Sequence, residues 1–190
     1  MSGFQTVTSP VVAVMQDSID TGQLISREAL KDSERTDYAD QLFYGERYLA
    51  SGAPNSNFVL NDPARKAAKI LVTGANFGCG SAWEHAAWAL RDYGIKVIIA
   101  VSFNETFYAN ALHNGLLPLV LPAEQCAVLA RLTATQTVTV DLEAQTVISG
   151  EAVMPFAIES IWREQLLTGG DQIGLTQRYS AAIERFEAQR

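Results

Sequence analysis

Asn76-Phe77-Gly78-Cys79-Gly80-Ser81-Ala82-Trp83-Glu84-His85-Ala86-Ala87-Trp88-Ala89-Leu90 follows directly on the apolar run Ile70-Leu71-Val72-Thr73. The run reads as a buried strand and the alanine-rich end of the stretch has helical spacing. The chain therefore passes from strand through a glycine-rich turn into helix. Gly78 and Gly80 permit positive φ and let backbone N–H groups come close to whatever occupies the turn. A helix opening there aims unpaired N–H groups and the positive end of its dipole at one point, which suits a carboxylate or phosphate. A plainer reading stands beside this one: Ser81 with Glu84 three positions later is the pattern of a capping box. That pattern leaves unexplained the two glycines flanking Cys79 and the histidine, His85, on the first helical turn.

Working outward, the helix is expected over residues 82–93 with Gly94 as its stop. A second apolar strand follows at 96–101, so strand, helix and strand form a parallel crossover. Ser102-Phe103-Asn104-Glu105 repeats the capping-box pattern and opens a helix to 111 or 112. A third strand is expected at 116–121, where Pro118 favours an edge position. A helix over 123–132 carries Cys126 as a small buried residue. Residues 137–142, 146–149 and 152–158 alternate as strands of an antiparallel meander, and helices over 159–167 and 176–187 close the chain. Towards the N-terminus, residues 7–14 read as one bent strand or two short ones around Ser9-Pro10. Residues 17–27 read as a polar loop with a short apolar patch, most plainly a surface connection, 38–48 as helical, 51–57 as a loop, and 64–68 as a short helix. The fold class is α/β with mixed parallel and antiparallel pairing. The whole chain, 1–190, is expected to be a single domain with a C-terminal helical extension.

The 190 residues are 48% hydrophobic and 18% charged, with formal charge −7. That composition suits a globular protein and offers no general attraction for nucleic acid or acidic lipid. No apolar run is long enough for a membrane span, and residues 1–6 carry no secretory pattern, so the cytoplasm is the expected location. The two cysteines, Cys79 and Cys126, and two histidines are too few for an iron–sulfur or zinc centre, and no metal ligand is expected in this chain. If the chemistry needs a cluster, a partner must bring it. Cys79 with His85 admits an outside alternative, a thiol nucleophile activated at a helix start. His85 otherwise orients a neighbour, and His113 is expected on the surface near a helix C-terminus.

The run Asn76-Phe77-Gly78-Cys79-Gly80-Ser81 followed by Glu84-His85-Ala86 and Trp88-Ala89-Leu90 resembles the signature of the small subunits of isopropylmalate isomerase, or 3-isopropylmalate dehydratase. Asp20-Thr21 with Ile25, Asp92-Tyr93-Gly94, Ser102-Phe103, Phe107-Tyr108, Asn110, Leu116-Leu117-Pro118, Asp141-Leu142-Glu143 and Asp171 with Ile173-Gly174-Leu175-Thr176 continue the likeness along nearly the whole chain. The resemblance implies a swivelling β/β/α domain like the mobile domain of aconitase. It implies a heterodimer with a large subunit that holds a [4Fe–4S] cluster, and removal and re-addition of water on a 2-hydroxy di- or tricarboxylate in leucine biosynthesis. The serine that takes the proton in such enzymes corresponds to Ser81. Substrate contacts would fall to Arg27, Gly80, Ala82, Trp83, Asp20 and Thr21, with Gly78, Cys79, Glu84 and His85 structural at the site. Alone, the purified chain is expected to be inactive and free of iron.

The sequence departs from the pattern where substrate would bind. The usual Gly-Ser-Ser-Arg-Glu-His is here Gly80-Ser81-Ala82-Trp83-Glu84-His85, and the usual Asp-Thr-Asp-x-Ile-Ile-Pro is Asp20-Thr21-Gly22-Gln23-Leu24-Ile25-Ser26. An indole has one N–H donor and no charge, so Trp83 cannot grip a carboxylate as an arginine fork does. Three readings remain: the same dehydratase with Arg27 or a large-subunit cation filling in, a paralogous hydro-lyase subunit for another 2-hydroxy acid, or a non-catalytic subunit that keeps fold and partner.

Overall fold

The computed structural model describes residues 3–26, 29–31, 38–169 and 180–187. The architecture follows from a single proline. Strands β1 (Thr6–Ser9) and β2 (Val11–Val14) are separated only by Pro10, yet they enter different sheets. Proline lacks the N–H that would continue the ladder, so the chain turns out of one sheet and into the next. Residues 7–14 therefore form two short strands.

β2 joins β3 (Ile70–Thr73), β4 (Val97–Ala100) and β5 (Leu117–Val120) in a parallel sheet of order β2-β3-β4-β5. Every residue of β3 and β4 is buried, as expected of central parallel strands covered on both faces. β5, with Pro118, takes the edge. β1 pairs antiparallel with β6 (Val138–Asp141), which continues through β7 (Thr146–Ser149) and β8 (Ala152–Pro155). Parallel and antiparallel pairing thus occupy two separate sheets.

The helices are α1 (Thr21–Leu24), α2 (Tyr44–Arg47), α3 (Glu84–Tyr93), α4 (Glu105–His113), α5 (Ala123–Ala130), α6 (Ser160–Thr168) and α7 (Ser180–Glu187). Successive strand residues point to opposite faces, and the parallel sheet divides its side chains accordingly. Val12, Leu71 and Ile98 join one core with Leu90 of α3 and Phe107 of α4. Val11, Ile70, Val72 and Ile99 join a second core with Leu129 of α5 and with Val138, Val140 and Val147 of the antiparallel sheet. One face of the parallel sheet is covered by α3 and α4 and the other by α5 together with the antiparallel sheet, so the parallel strands are held from both sides.

Several local expectations are corrected. α3 starts at Glu84, with Trp83 as N-cap and no side-chain cap bond, so Ser81 and Glu84 do not form a capping box. α4 is capped by Asn104, whose Oδ1 accepts from the N–H groups of Thr106 (3.1 Å) and Phe107 (3.3 Å), while Ser102 is engaged elsewhere. The 38–48 segment is broken into a 3-10 turn (Ala39–Gln41) and α2, because Phe43 adopts φ 50° between them. The 64–68 segment is a 3-10 turn over Pro63–Arg65, capped by Asp62. The 17–27 stretch is no plain surface loop: Ile19, Leu24 and Ile25 are fully buried. The expected helix over 176–187 is described from Ser180, and its start lies outside the described residues.

Candidate active site at the carboxyl end of the parallel sheet

Parallel sheets place ligand sites beyond the carboxyl ends of their strands, because there the loops diverge and helix N-termini gather. Three such loops meet here, after β2, β3 and β4. Strand-like pairing persists into them as parallel bridges Asp20–Cys79 and Phe77–Phe103. On one flank, Ser18 N–H donates to the Ala75 carbonyl (2.8 Å), Gly78 N–H to Ile19 (2.8 Å) and Thr21 N–H to Cys79 (2.9 Å). On the other, Phe77 N–H donates to Ser102 (3.0 Å) and Asn104 N–H to Phe77 (2.9 Å). Side chains add to the lacing: the Asn76 amide donates to Ser18 Oγ (3.0 Å), Ala75 N–H to Asp17 Oδ1 (2.7 Å) and Asn76 N–H to Ser102 Oγ (2.8 Å). The glycine turn is clamped by main chain on both sides.

Two glycines make this close approach possible. Gly78 has φ +76°, and a Cβ there would collide with the Phe107 ring. Gly80 has φ +90°, and a Cβ there would stand 3.3 Å from the Asp20 Cβ. Both conformations lie where side chains are disfavoured and both positions lack room for one.

On this platform Ser81 is exposed, and its hydroxyl has no partner among the described residues. Its carbonyl accepts from Trp83 N–H (2.8 Å) and from the Thr21 hydroxyl (2.8 Å). Gly80 and Ala82 are also exposed. The N–H groups of Gly80, Ser81 and Ala82 meet no acceptor among the described residues. A run of open amides about an exposed hydroxyl is a place where negative charge can be held.

The other expected site residues divide into two groups. Asp20 is exposed and caps α1, its Oδ1 accepting from Gln23 N–H at 2.8 Å. Thr21 is 2% exposed with its hydroxyl spent on Ser81. Gly78 is buried beneath the turn, and Cys79 is half-buried, its thiol donating to the Ser18 carbonyl at 3.4 Å. Glu84 accepts from the Asn114 amide at 2.9 Å. His85 packs its ring against Trp88 (4.5 Å) and edge-on to Tyr38 (5.7 Å). Cys79 and His85 thus have separate engagements, and nothing brings them together as a nucleophile pair. Trp83 is half-buried and packs on the first core, and a Cβ at Gly22 would lie 3.8 Å from its Cζ3. A side chain at 22 would therefore project beside Trp83, so these two of the departures from the pattern are neighbours in space. Arg27 lies outside the described residues, as do Asp171 and residues 173–176.

Away from the site, Cys126 is fully buried, donates to the Leu121 carbonyl (3.5 Å) and has its thiol pushed up by burial, so it is an inert core residue. His113 ends α4, exposed, and meets Trp162 edge-on at 5.0 Å. Asp17, Ser18, Ser102 and Asn114 were invisible as site residues, because each acts through a partner 26 or more positions distant in sequence, as with Asn76 and Ser102. No local pattern marks such a contact. Among the described residues no three His, Cys, Asp or Glu side chains gather to hold a metal ion, so the donor set does not fit an iron–sulfur cluster.

A four-stranded parallel sheet backed by an antiparallel sheet, with a clamped glycine turn at its carboxyl end, defines a swivelling β/β/α domain of the aconitase type. Residues 1–124 match the family model described as the aconitase C-terminal domain, and residues 128–160 match a second, LeuD_N. A crystal structure of 3-isopropylmalate dehydratase from Methanocaldococcus jannaschii shares the fold, with TM-score 0.69 and 24% identity over 95% of this chain and 99% of that one. The small subunit of 3-isopropylmalate dehydratase from Limosilactobacillus fermentum is 47% identical, over 100% of this chain and 97% of its own length. Those of Listeria innocua (46%; 98% and 97%) and Lactococcus lactis (43%; 98% and 98%) are similar too. The chain belongs to the family of 3-isopropylmalate dehydratase small subunits.

Proposed function

We propose that this chain is the small subunit of a 3-isopropylmalate dehydratase in leucine biosynthesis, and that Ser81 is its proton-transferring base. The observation that carries the reading is the contrast at Ser81: main chain fixed by two donors, side chain exposed and unengaged among the described residues. In dehydration, a base removes the proton beside one carboxylate, the C–H electron pair becomes the new double bond and the hydroxyl departs from the neighbouring carbon. A serine hydroxyl is a feeble base in water, so nearby donors must stabilise its alkoxide. The open amides of residues 80–82 are suited to that, or to one substrate carboxylate. The [4Fe–4S] cluster implied by the family is assigned to a large subunit, with which this chain forms a heterodimer. No helix among the described residues is long and apolar enough to cross a membrane, and the cytoplasm is the compartment proposed.

A second reading is favoured by Trp83, whose ring borders the space that a side chain at 22 would occupy. An indole lying where the family's pattern has an acid and an arginine presents an apolar surface near the turn, which suits a 2-hydroxy diacid with a larger apolar group. Reconstitution with a cognate large subunit and assay of 2-isopropylmaleate hydration separates the readings. Activity that Ser81→Ala lowers by about 10²–10⁴-fold supports the first. Turnover confined to other 2-hydroxy diacids selects the second, and no turnover of any such acid leaves a non-catalytic partner subunit.

A further inference from the structure

We infer that Thr21 is the positioning residue for the Ser81 hydroxyl, acting through the Ser81 carbonyl and without touching substrate. The inference rests on Ser81 being the base. Thr21 is 2% exposed, so its side chain is shut away from anything bound at the turn. Its two polar groups grip the peptide before Gly80 and the peptide after Ser81: Thr21 N–H donates to the Cys79 carbonyl at 2.9 Å, and Thr21 Oγ1 donates to the Ser81 carbonyl at 2.8 Å. Between them Gly80 crosses at φ +90°, with no Cβ to wedge against Asp20, and would-be Cβ contact reaches Thr21 Oγ1 at 3.6 Å. The segment from Cys79 to Ser81 is thus seated on Thr21 at both ends. Gly80 is the freest kind of residue to rotate. Without the second grip, the Ser81 peptide can turn about Gly80 and carry the hydroxyl off line.

The same geometry distinguishes positioning from mere stability. When the Thr21 hydroxyl is removed, the Ser81 carbonyl keeps the N–H of Trp83 at 2.8 Å. No carbonyl is orphaned, and valine fills the buried space that threonine held. The change should fall on orientation, where a displacement of about 1 Å can cost about 10²-fold in rate.

The test uses the chain reconstituted with its large subunit, with kcat and KM measured for wild type, Thr21→Val, Thr21→Ser, Ser81→Ala and the double variant Thr21→Val/Ser81→Ala. We expect Thr21→Val to lower kcat by about 10–100-fold with KM within about twofold of wild type. Thr21→Ser, which restores the donor, should recover kcat to within about threefold. In the Ser81→Ala background, Thr21→Val should cost nothing further, since there is no hydroxyl left to aim. Wild-type kcat in Thr21→Val with Ser81→Ala inactive would overturn the positioning role and leave the base standing. A Thr21→Ser as poor as Thr21→Val, or an undiminished loss in the Ser81→Ala background, would also overturn it. Full activity in Ser81→Ala would remove the base and this inference together.

Discussion

Gly78→Ala is expected to be among the most damaging single-methyl additions to this protein, for two reasons that add. The residue sits at φ +76°, a left-handed conformation that costs a non-glycine residue about 1–2 kcal/mol. The new methyl would also enter the Phe107 ring. That ring cannot withdraw: it is 2% exposed, edge-on to Phe77 at 5.1 Å and stacked with Phe103 at 6.4 Å. Overpacking of this kind costs about 1–3 kcal/mol. The sum is about 2–5 kcal/mol, a large share of a typical folding stability of about 5–15 kcal/mol. Gly94→Ala is the matched control, since its φ is +106° but nothing lies within 4 Å of the new Cβ; it should show the backbone cost alone. In urea, with a slope near 2 kcal/mol/M, the Gly78→Ala midpoint should fall by about 1–2.5 M, and that of Gly94→Ala by less than about 1 M. Combining Gly78→Ala with Phe107→Leu should recover part of the steric cost, giving a non-additive cycle. Equal midpoints for the two alanine variants, or strict additivity in the cycle, would refute the reasoning.

Asn114→Ala should lower stability by about 1–3 kcal/mol, because buried Asn114 bridges Trp88 Nε1 (2.9 Å) and Glu84 Oε1 (2.9 Å) and joins the start of α3 to the end of α4; an unchanged urea midpoint would count against the bridge. At alkaline pH, burial raises Tyr93 above its usual 10.0, with Arg47 opposing, and raises Tyr108 through burial and then Glu159. Each tyrosine binds its proton more tightly folded than unfolded. Their contribution is therefore complete below about pH 10 and drains away as pH rises through the folded values, and urea midpoints should be level to about pH 9 and fall above about pH 10. Tyr108→Phe should make that fall shallower.

Elements decided by residues close in sequence were legible. β3 and β4 are short apolar runs, Pro118 marks an edge, and Gly94 ends α3. The alternation after residue 137 yields the meander in register. What escaped was decided by distant partners. Ser102 has the spacing of a cap, but its hydroxyl serves Asn76, and Asn104 takes the capping role. The short apolar patch within residues 17–27 understates its burial, because Ile19, Leu24 and Ile25 all pack into the core shared with α3 and α4. Thr21 reads as one polar loop residue among several, and only the folded chain brings its hydroxyl to a carbonyl 60 positions away. The glycine turn before Ser81 was legible for a different reason: the glycines that let it approach its neighbours lie close together in sequence.

The divergence of β1 and β2 at Pro10 also sets an order for assembly during synthesis. β2 finds its neighbour once Ile70 has emerged, and the parallel sheet closes progressively from there. β1 must wait for its own, since Ser9 aligns with Val138 and Thr6 with Asp141. For roughly seventy residues of translation, the partner of one half of a nine-residue segment has been made while the partner of the other half has not. At about 5–20 residues per second this interval lasts several seconds. A nascent chain arrested within it would carry the glycine turn above a sheet still missing its counterpart.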